Sequence, residues 1–470
     1  MSDALTHMSL VDVAAAIRNG ETTSRAVTEA CIARIEQLAP KLNCFISFDP
    51  QGALSAAAAA DAQLAAGKPT GLLHGVPLAH KDMYYREGVV TTCGSKIRRD
   101  FRPDHTATAL TRLSAEGALH LGGLNMSEFA TGPTGHNTHY GAARNPWNPD
   151  YITCGSSSGS GSATGGRLVF GALGSDTGGS IRLPATACGL VGIKPTQTRV
   201  SRYGAMGLSF SLDNVGPLTR TVRDCARMLG IIAGHDPLDP TSSHRPVADY
   251  EAATLNPQVR GLRIGVAQNY YTDVHDEVAE AQEQSLLALE SLGAVRVPLT
   301  VPFHDHLATL GTILSSTESS TLHGAWLRER PEDYGPQVRA RLEMGLGYSG
   351  QQYLSAVQAR PGIIRAFVDD VFSKCDVLLT PGIPEPLPTI DDTAVEDAQG
   401  FPELIGRISR CTRPFNYLAL PGLSLPAGFG RNGLPIGIQM IGRPFAEEML
   451  FRAGAAYEQA TEWTGRAPTL

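Results

Sequence analysis

The sequence lacks several patterns that would assign it to a membrane, secreted or nucleic-acid-binding class. Its net charge is −7 and no basic block occurs, so nucleic acid is not expected as a direct partner. No run of about 18 apolar residues is present that could cross a membrane. The start, MSDALTHMSLVD, is not a basic stretch followed by an apolar core, so no signal peptide is expected. We therefore predict a cytoplasmic protein.

Cysteines are few and scattered, which argues against a disulfide framework or a zinc site. The eight cysteines are not spaced as CxxC and form no cluster with histidines. His136 and His139 lie close together in sequence, but no third metal ligand stands at a recognised spacing. The pattern predicts reduced, mostly buried thiols. Cys154 as a nucleophile is a minor alternative.

Composition and periodicity favour one large α/β domain. The chain is 42% hydrophobic and 18% charged, which suits a compact enzyme rather than a disordered chain. Strand, helix and strand alternate over residues 261–297, which predicts a mixed, mostly parallel central sheet covered by helices on both faces. No internal boundary is clear, although the length alone also permits two to three ordinary domains.

Local signals predict individual elements. Ser9 and either Thr23 or Ser24 are expected to cap the first two helices, and Pro40 to end the second. Residues 383–403 are acidic and Pro-rich and are expected to form a surface loop. Asn432-Gly433, residues 432–433, predicts a β-hairpin between two apolar runs. Further helices are predicted at 51–66, 106–116, 221–232, 276–292, mainly over 303–372, and at 445–461, and further strands at 76–79, 118–122, 261–267, 294–297 and 376–381.

The stretch 154–195 is dense in Gly and Ser but also contains apolar runs. A flexible linker would lack such runs, so the stretch is expected to pass through the core. GSSSG at 155–159 fits a loose G-x-S-x-G elbow with Ser157 as nucleophile, although a turn rather than a strand precedes it. No Gly-Lys-Ser/Thr follows the glycines, which excludes a P-loop. An anion-binding nest without catalysis remains an alternative.

The segment GSDTGGSIR, residues 174–182, is typical of a backbone oxyanion site. Consecutive glycines before a serine let several N–H groups converge on one point. Ser180 is then a candidate nucleophile that needs a base, and Lys81 with Ser156 is available. Lys81 ends an apolar strand in GVPLAHKD, where a lysine is either a surface residue with a buried stem or a buried amine of lowered pKa.

These motifs resemble those of the amidase signature family. GVPLAHKD matches the segment of the family's catalytic lysine at Lys81, and CGSSSGS, residues 154–160, matches its GGSSGGS motif. GSDTGGSIR matches its G-[ST]-D-x-G-G-S-[IV]-R motif. Ser156 falls on the serine that follows a cis peptide bond in the family, and Ser180 on the nucleophile. The likeness covers most of the chain and implies the amidase signature fold, a single domain over residues 1–470. It implies N-terminal helices (1–70), a catalytic core (about 71–232) and the remaining sheet with substrate-pocket helices (233–470).

The resemblance implies an amidohydrolase acting on carbon–nitrogen bonds other than peptide bonds. Lys81, neutral at rest, would take a proton from Ser156, which would take the proton of Ser180 as Ser180 attacks the amide carbonyl. An acyl-enzyme would form, and water would hydrolyse it. The resemblance implies no cofactor and no metal. It implies an oxyanion hole of the backbone N–H groups of Thr177, Gly178, Gly179 and Ser180, with Asp176 and Arg182 supporting the loop.

The sequence departs from the family pattern at two small residues. Cys154 stands in place of the first Gly of the GGSSGGS motif, and Ser158 in place of its third Gly. The departures concern the loop's detailed geometry and leave the implied catalytic residues intact.

The resemblance leaves three functions open. The main expectation is a stand-alone amidase acting on a small-molecule amide, with an aryl amide or carbamate as candidates, and homodimers are common in the family. The alternative is the A subunit of a glutamyl-tRNA(Gln) amidotransferase, which has the same triad, works in a complex and takes ammonia from glutamine. That protein carries an acidic residue where Ser409 stands here, seven positions before Asn416, and contacts the glutamine amine with it. A non-catalytic binding protein is disfavoured because Lys81, Ser156 and Ser180 are intact.

The substrate pocket is expected to be formed by three variable segments, residues 125–140, 303–350 and 400–416. They contain apolar residues that would suit an apolar acyl or aryl group, although such residues are more often part of a core. The candidates are Phe129, Leu314, Met344 and Phe415.

Overall fold

The computed structural model describes residues 2–394 and 400–470, which form one α/β domain. The helices are α1 Ser2–His7, α2 Leu10–Arg18, α3 Ser24–Leu42, α4 Pro50–Ala65, α5 Thr108–Ala115, α6 Ser158–Gly165, α7 Arg182–Cys188, α8 Val222–Ile232, α9 Ala252–Leu255, α10 Asp276–Ser291, α11 His304–Glu329, α12 Pro336–Met344, α13 Gly350–Lys374, α14 Gly400–Ser409, α15 Arg413–Tyr417 and α16 Glu447–Thr461. The strands are β1 Phe45–Phe48, β2 Pro77–Lys81, β3 Leu119–Leu124, β4 Gly171–Asp176, β5 Val191–Lys194, β6 Asn214–Thr219, β7 Arg263–Ala267, β8 Val295–Leu299, β9 Val377–Pro381, β10 Gly422–Phe429 and β11 Pro435–Ile441.

The central sheet is mixed, and its strand order is β4-β6-β5-β10-β11-β9-β7-β8. The prediction of a mixed sheet in one α/β domain is confirmed, but the prediction that it is mostly parallel is wrong. Within the described residues, only β7–β8 and β7–β9 pair in parallel in this sheet, and its other pairs are antiparallel. The βαβ rhythm of 261–297 correctly predicted the parallel edge, but the remaining strands are joined by hairpins and long connections that carry no such rhythm.

Helices cover both faces of the central sheet, as predicted. Adjacent residues of a strand point to opposite faces. In β10, Leu423 lies against Gly454 of α16, whereas the Oγ atom of Ser424 lies 2.9 Å from Thr186 Oγ1 of α7. The two helices therefore flank opposite sides of the same strand.

A smaller sheet, ordered β1-β3-β2, lies beside the first and carries Lys81 at the end of β2. All five residues of β2 are buried, and β2 runs parallel to β3. The backbone N–H of Leu173 in β4 donates to His80 Nδ1 at 3.1 Å, and the Tyr84 hydroxyl donates to the Gly174 carbonyl at 2.6 Å. These bonds fix the end of β2 against the end of β4.

Most local predictions are confirmed, with helix ends differing by a few residues. The side chains of Ser9 and Thr23 accept the backbone N–H groups of Asp12 and Ala26 and so cap α2 and α3. The Asn-Gly turn joins β10 and β11 in an antiparallel pair. The segment predicted as a surface loop at 383–403 contains a single 3₁₀ turn at Asp391–Thr393, and α14 begins at Gly400, so the loop ends earlier than predicted. Residues 395–399 of that prediction lie outside the described residues.

Two helices differ from their predictions. Pro40 lies inside α3, which continues to Leu42 and ends at Asn43 in the left-handed conformation (φ 49°). A proline so close to the end of a helix removes a single backbone bond, and the helix tolerates it. The helix α6 was not predicted, because its sequence SGSGSATG combines poor helix formers and has no apolar face; all eight residues are buried.

No helix within the described chain is long and apolar enough to cross a membrane.

Candidate active site

Lys81 is a buried amine that lies between two serine hydroxyls. Its side chain is 1% exposed, and Nζ lies 2.7 Å from Ser156 Oγ and 2.8 Å from Ser175 Oγ. Burial lowers the pKa of Lys81 to about 7, although the more distant carboxylates of Asp213 and Asp176 act to raise it. A substantial fraction of the amine is therefore neutral near neutral pH and able to accept a proton. Lys81 is therefore a buried amine of lowered pKa and not a surface lysine with a buried stem.

Ser156 is held rigidly in the turn before α6. It is fully buried, and the peptide bond between Gly155 and Ser156 is cis, as the resemblance implies. Its carbonyl accepts the N–H of Ser127 at 3.1 Å, and the N–H of Gly155 donates to the Pro133 carbonyl at 2.7 Å. These bonds direct the Ser156 hydroxyl towards Lys81.

The two departures from the family motif are accommodated in this turn. Cys154 adopts a φ of 55°, the left-handed region in which glycine is the least strained residue. Ser158 begins α6, and its hydroxyl lies 3.5 Å from the Asn125 carbonyl oxygen. The turn therefore keeps the Ser156 hydroxyl within hydrogen-bond distance of Lys81 Nζ despite both departures from the motif.

Ser175 is a site residue that the sequence analysis missed. It lies one residue before Asp176 at the end of β4, so strand alternation points its side chain to the face opposite that of Asp176. On that face lies the end of β2 with Lys81. The signal was available in the alternation of β4, but the pairing of β4 with the neighbouring small sheet was needed to interpret it.

The loop after β4 is anchored by a fully buried ion pair. Arg182 Nε lies 3.0 Å from Asp176 Oδ2, and Asn416 Nδ2 donates to Asp176 Oδ1 at 2.8 Å. Burial raises the pKa of Asp176, but the Arg182 guanidinium outweighs that effect and, with further partners, lowers it to about 2. Asp176 is therefore a permanent anion on which the loop is built. The geometry brings Asp176 and Arg182 together, and their supporting role stays a prediction.

Not every N–H of this loop is available to a ligand. The N–H of Gly179 donates to Asp176 Oδ1 at 2.8 Å, so Gly179 is committed to the anchor rather than to an oxyanion in this conformation. The N–H groups of Thr177, Gly178 and Ser180 donate to no acceptor within residues 2–394 and 400–470. The predicted set of oxyanion donors remains a prediction, in which the Gly179 N–H would have to leave Asp176 to take part. Gly179 has a φ of 131°, and a Cβ atom at this position would overlap Thr412 Oγ1.

Two side chains outside the sequence motifs also hold the loop. Thr177 Oγ1 donates to Asp213 Oδ1 at 2.5 Å, and Asp213 Oδ2 accepts the backbone N–H groups of Leu208 and Ser209. Thr412 Oγ1 donates to the Gly178 carbonyl at 2.7 Å, and this bond fixes the orientation of the Gly178 peptide group. Asp213 and Thr412 lie far from the motifs in sequence, and no local pattern marks them.

Ser180 is partly exposed and lines a cavity of about 50 Å³ together with Thr177 and Gly178. Its hydroxyl makes no hydrogen bond within the described chain, and so the structure joins Lys81 to Ser156 but does not join Ser156 to Ser180. Leu183, Leu208 and Leu212, which lie outside the predicted pocket segments, contribute apolar side chains to the wall, and all three predicted segments contribute as well. These segments supply Ala130, Gly132 and Pro133, then Leu307, Ala308, Gly311, Ser315 and Arg341, and then Ile405, Ser409 and Arg413.

The four apolar residues proposed for the pocket do not line this cavity. Phe129, Leu314 and Phe415 are at most 1% exposed and belong to the core, where Phe129 stacks on Trp326. Met344 is exposed at the end of α12. Apolar side chains do line the cavity, but they are Leu183, Leu208, Leu212, Leu307 and Ile405, and two arginines, Arg341 and Arg413, line it with them.

The competing nucleophiles are engaged elsewhere. Ser157 Oγ accepts the N–H of Ser175 at 3.2 Å and is fully buried. Burial raises the pKa of the Cys154 thiol far above its usual range. His136 bonds Thr393 and His139 bonds Glu128, and no group of three metal-ligating side chains occurs in the part of the chain that the structure describes.

Comparison with known proteins gives consistent matches over almost the whole chain. A family model described as Amidase matches residues 26–451. The chain is 41% identical over 475 residues to the A subunit of the glutamyl-tRNA(Gln) amidotransferase of Lachnospira eligens, covering 96% of this chain and 97% of that protein. It is 41% identical over 474 residues to the protein of the same name from Moorella thermoacetica, covering 96% of each.

Solved structures match equally broadly. One, from a vestigial protein complex that bears on the origins of an s-triazine catabolic enzyme, has a TM-score of 0.90 at 34% identity and covers 97% of this chain and 99% of the other. A bacterial aryl acylamidase of the amidase signature family has a TM-score of 0.87 at 28% identity, covering 97% and 96%. The names of the sequence relatives support the amidotransferase alternative better than the main expectation of a stand-alone amidase.

Proposed function

The chain belongs to the amidase signature family of hydrolases, and from that premise we propose that it hydrolyses a carboxylic amide with Ser180 as nucleophile. The observation that carries this proposal is the position of Lys81, a buried amine with a pKa near 7 that lies 2.7 Å from Ser156 Oγ. An amine of ordinary pKa would be protonated at neutral pH and could not act as a base.

In the proposed mechanism the proton moves along a chain of two hydroxyls. Neutral Lys81 accepts the proton of Ser156, and Ser156 accepts the proton of Ser180 as Ser180 Oγ bonds to the amide carbon. The relay then runs in reverse and delivers a proton to the leaving nitrogen, so that ammonia or an amine departs and an acyl-enzyme remains. Water attacks the ester, and the acid is released.

The developing oxyanion would be held by backbone N–H groups of Thr177, Gly178 and Ser180. These groups have no acceptor in the described chain and lie on the wall of the cavity beside the nucleophile. Gly179 is proposed as the fixed point of the turn, through its bond to Asp176. Removing one such donor in other enzymes costs about 10²–10³ in kcat, so the shape of this loop is expected to contribute substantially to the rate.

Two settings for this chemistry are proposed. The names of the sequence relatives support the A subunit of an amidotransferase, which would release ammonia from glutamine and work with partner subunits. A specific observation supports a stand-alone amidase: no Asp or Glu lines the described part of the cavity, and Ser409 stands on its wall. Glutamine carries an ammonium group, and a site that selects it benefits from a carboxylate.

Release of ammonia or amine from a panel of glutamine, aliphatic amides, anilides and carbamates tests the function. We expect Ser180→Ala to lower kcat by at least about 10⁴-fold. Wild-type protein should also form a covalent adduct with a fluorophosphonate, located at Ser180 by peptide mass spectrometry. If Ser180→Ala keeps full activity and Ser157→Ala does not, the assignment of the nucleophile is wrong. Activity without any partner supports the stand-alone amidase, and activity on glutamine alone or only with partner subunits supports the amidotransferase.

Assembly, location and internal division are proposals that follow from the family likeness alone. We propose a homodimer, which sedimentation of the purified chain would test, and a cytoplasmic location. We also propose that residues 71–232 form the catalytic core, between N-terminal helices at 1–70 and a pocket-forming part at 233–470.

A further inference from the structure

Two arginines line the cavity that contains Ser180, and neither meets a carboxylate. The Arg341 guanidinium, from α12, has no hydrogen-bond or ion-pair partner among the side chains that the structure describes. Arg413, at the start of α15, donates to Thr312 Oγ1 of α11 and has no ion-pair partner in the same residues. By contrast, the buried Arg182 is neutralised by Asp176, and Arg227 by Glu251.

The two guanidinium groups repel each other electrostatically. Burial lowers the pKa of Arg341 to about 10, and the neighbouring Arg413 charge contributes to that shift. Both groups remain cations at neutral pH. Holding two half-buried guanidinium groups close together without an anion costs stability, which a bound anion would restore.

Arg413 also lies at the reacting end of the cavity. A Cβ atom added to Gly178 would lie 3.2 Å from Arg413 Cγ, so the stem of Arg413 rests on the loop that leads to Ser180. The adjacent residue, Thr412, bonds the carbonyl of the same glycine. A group held by Arg413 would therefore lie a short distance from the scissile bond.

We propose that the substrate is a short amide that also carries a carboxylate, which Arg341 and Arg413 bind, and that the described wall of the cavity offers no site for an ammonium group. This proposal rests on the proposed function, whose reaction centre the cavity contains. Guanidinium groups bind carboxylates through paired, charge-assisted hydrogen bonds. The limited free space of about 50 Å³ beside Ser180 favours a short substrate over a long one. An ammonium-bearing substrate would meet two cations and, among the described lining residues, no acid.

Hydrolysis of paired amides measures the carboxylate preference. Succinamate and glutaramate are compared with butyramide and pentanamide, which lack the charge. We expect wild-type kcat/KM for the anionic member of each pair to exceed that for the neutral member at least 100-fold. Arg413→Met and Arg341→Met should each reduce this ratio at least tenfold. The control is Arg339→Met, also on α12 but paired with Glu332 and Glu343 at the surface, which should keep the wild-type ratio. A wild-type ratio near one, or ratios unchanged in both arginine variants, would overturn the proposal.

Binding of product acids tests the site without catalysis. Calorimetric titration with succinate and glutarate should show one site in wild type and at least tenfold weaker binding in Arg413→Met and Arg341→Met, with Arg339→Met unchanged. Absence of binding to wild type, or equal binding by all four proteins, contradicts the arginine site. The proposed function fails differently: then no amide is hydrolysed in a Ser180-dependent way, whether or not glutarate binds.

Glutaramate and glutamine differ only in the α-amino group and so test the second part of the proposal. We expect wild type to prefer glutaramate at least tenfold in kcat/KM. Ser409→Asp, which adds a carboxylate to the wall of the cavity, should shift the preference towards glutamine, whereas Ser409→Asn should not. A wild-type preference for glutamine would overturn the claim that the described wall offers no ammonium site.

Discussion

Two buried strands in this protein end in a buried lysine, and the surroundings of the two lysines differ. Lys81 ends β2 and Lys194 ends β5; both side chains are at most 1% exposed, and burial lowers both pKa values to about 7. Lys81 Nζ lies between the hydroxyls of Ser156 and Ser175, whereas Lys194 Nζ donates to the carbonyl of Pro195. A perturbed pKa therefore does not identify a base by itself, and the groups within reach of the amine do.

The largest expected effect separates the two lysines by activity. Lys81→Met should lower kcat by about 10³-fold or more, because no other base in the described chain contacts Ser156 Oγ. Lys194→Met should keep kcat within about tenfold of wild type, since among the described residues its amine donates to a backbone carbonyl alone. Steady-state hydrolysis of one amide measures both. Equal losses of kcat in the two variants would contradict the assignment of Lys81, and not Lys194, as the base.

The pH profile is the next test. Below a pH of about 7, Lys81 becomes protonated and cannot accept a proton, so kcat/KM should fall about tenfold per pH unit on the acid side and reach a plateau above pH 8. Lys194→Met should keep the same midpoint. A profile that is flat from pH 5 to 9, or a midpoint that moves by a full unit in Lys194→Met, would assign the titration to another group.

A smaller effect is expected at Ser175, whose hydroxyl is one of the two that contact Lys81 Nζ. Lys194 Nζ contacts no hydroxyl in the described chain. Ser175→Ala should lower kcat by about tenfold and change the acid-side midpoint, since Lys81 loses one of its two hydroxyl contacts. Ser175→Thr keeps the hydroxyl and should restore both. If alanine and threonine behave alike, Ser175 serves only packing and does not position Lys81.

The smallest expected difference between the two lysines is in the pH dependence of the free energy of unfolding, because burial lowers both pKa values to about 7. Between about pH 7 and 10.4 each lysine is neutral when folded and protonated when unfolded, so raising the pH through this window favours the folded state. Relative to Lys194→Met, wild type should gain on the order of 1–4 kcal/mol in free energy of unfolding from pH 7 to 9.5, by urea titration. The exposed Lys68→Met should show no such difference. A difference that stays constant with pH would mean that Lys194 keeps its proton when buried.

Local sequence patterns correctly predicted the helix caps and the hairpin turn, which depend on interactions between neighbouring residues. The caps at Ser9 and Thr23 and the Asn-Gly hairpin depend on a few consecutive residues, and all three are present. Motif spacing identified Lys81 and Ser156. These residues are 75 positions apart in the chain, and the fold places Lys81 Nζ 2.7 Å from Ser156 Oγ. The roles of these residues remain predictions, because geometry does not measure a rate.

Features that depend on distant segments could not be predicted from local patterns. The directions of the strands outside 261–297 are set by connections without a recognisable rhythm, and the sheet is more antiparallel than predicted. Asp213 and Arg413 approach the loop 177–180 from elsewhere in the chain. Apolar character pointed to Phe129 and Phe415, which belong to the core, because hydrophobicity reports burial and does not report which buried surface faces a cavity.

The helix that follows Ser156 also has a consequence for how the chain folds. As an isolated peptide, α6, with the sequence SGSGSATG, would be unstructured, because glycine and serine disfavour helix and eight residues are too few to sustain one. It is held by close backbone packing: a Cβ atom on Gly159 would lie 2.5 Å from Asn125 N and from Cys44 O. We therefore expect α6 to order late, after contacts of long sequence separation have formed. During synthesis the growing chain would then carry its reactive serines without a working relay, and hydrolytic activity would appear only in the finished protein.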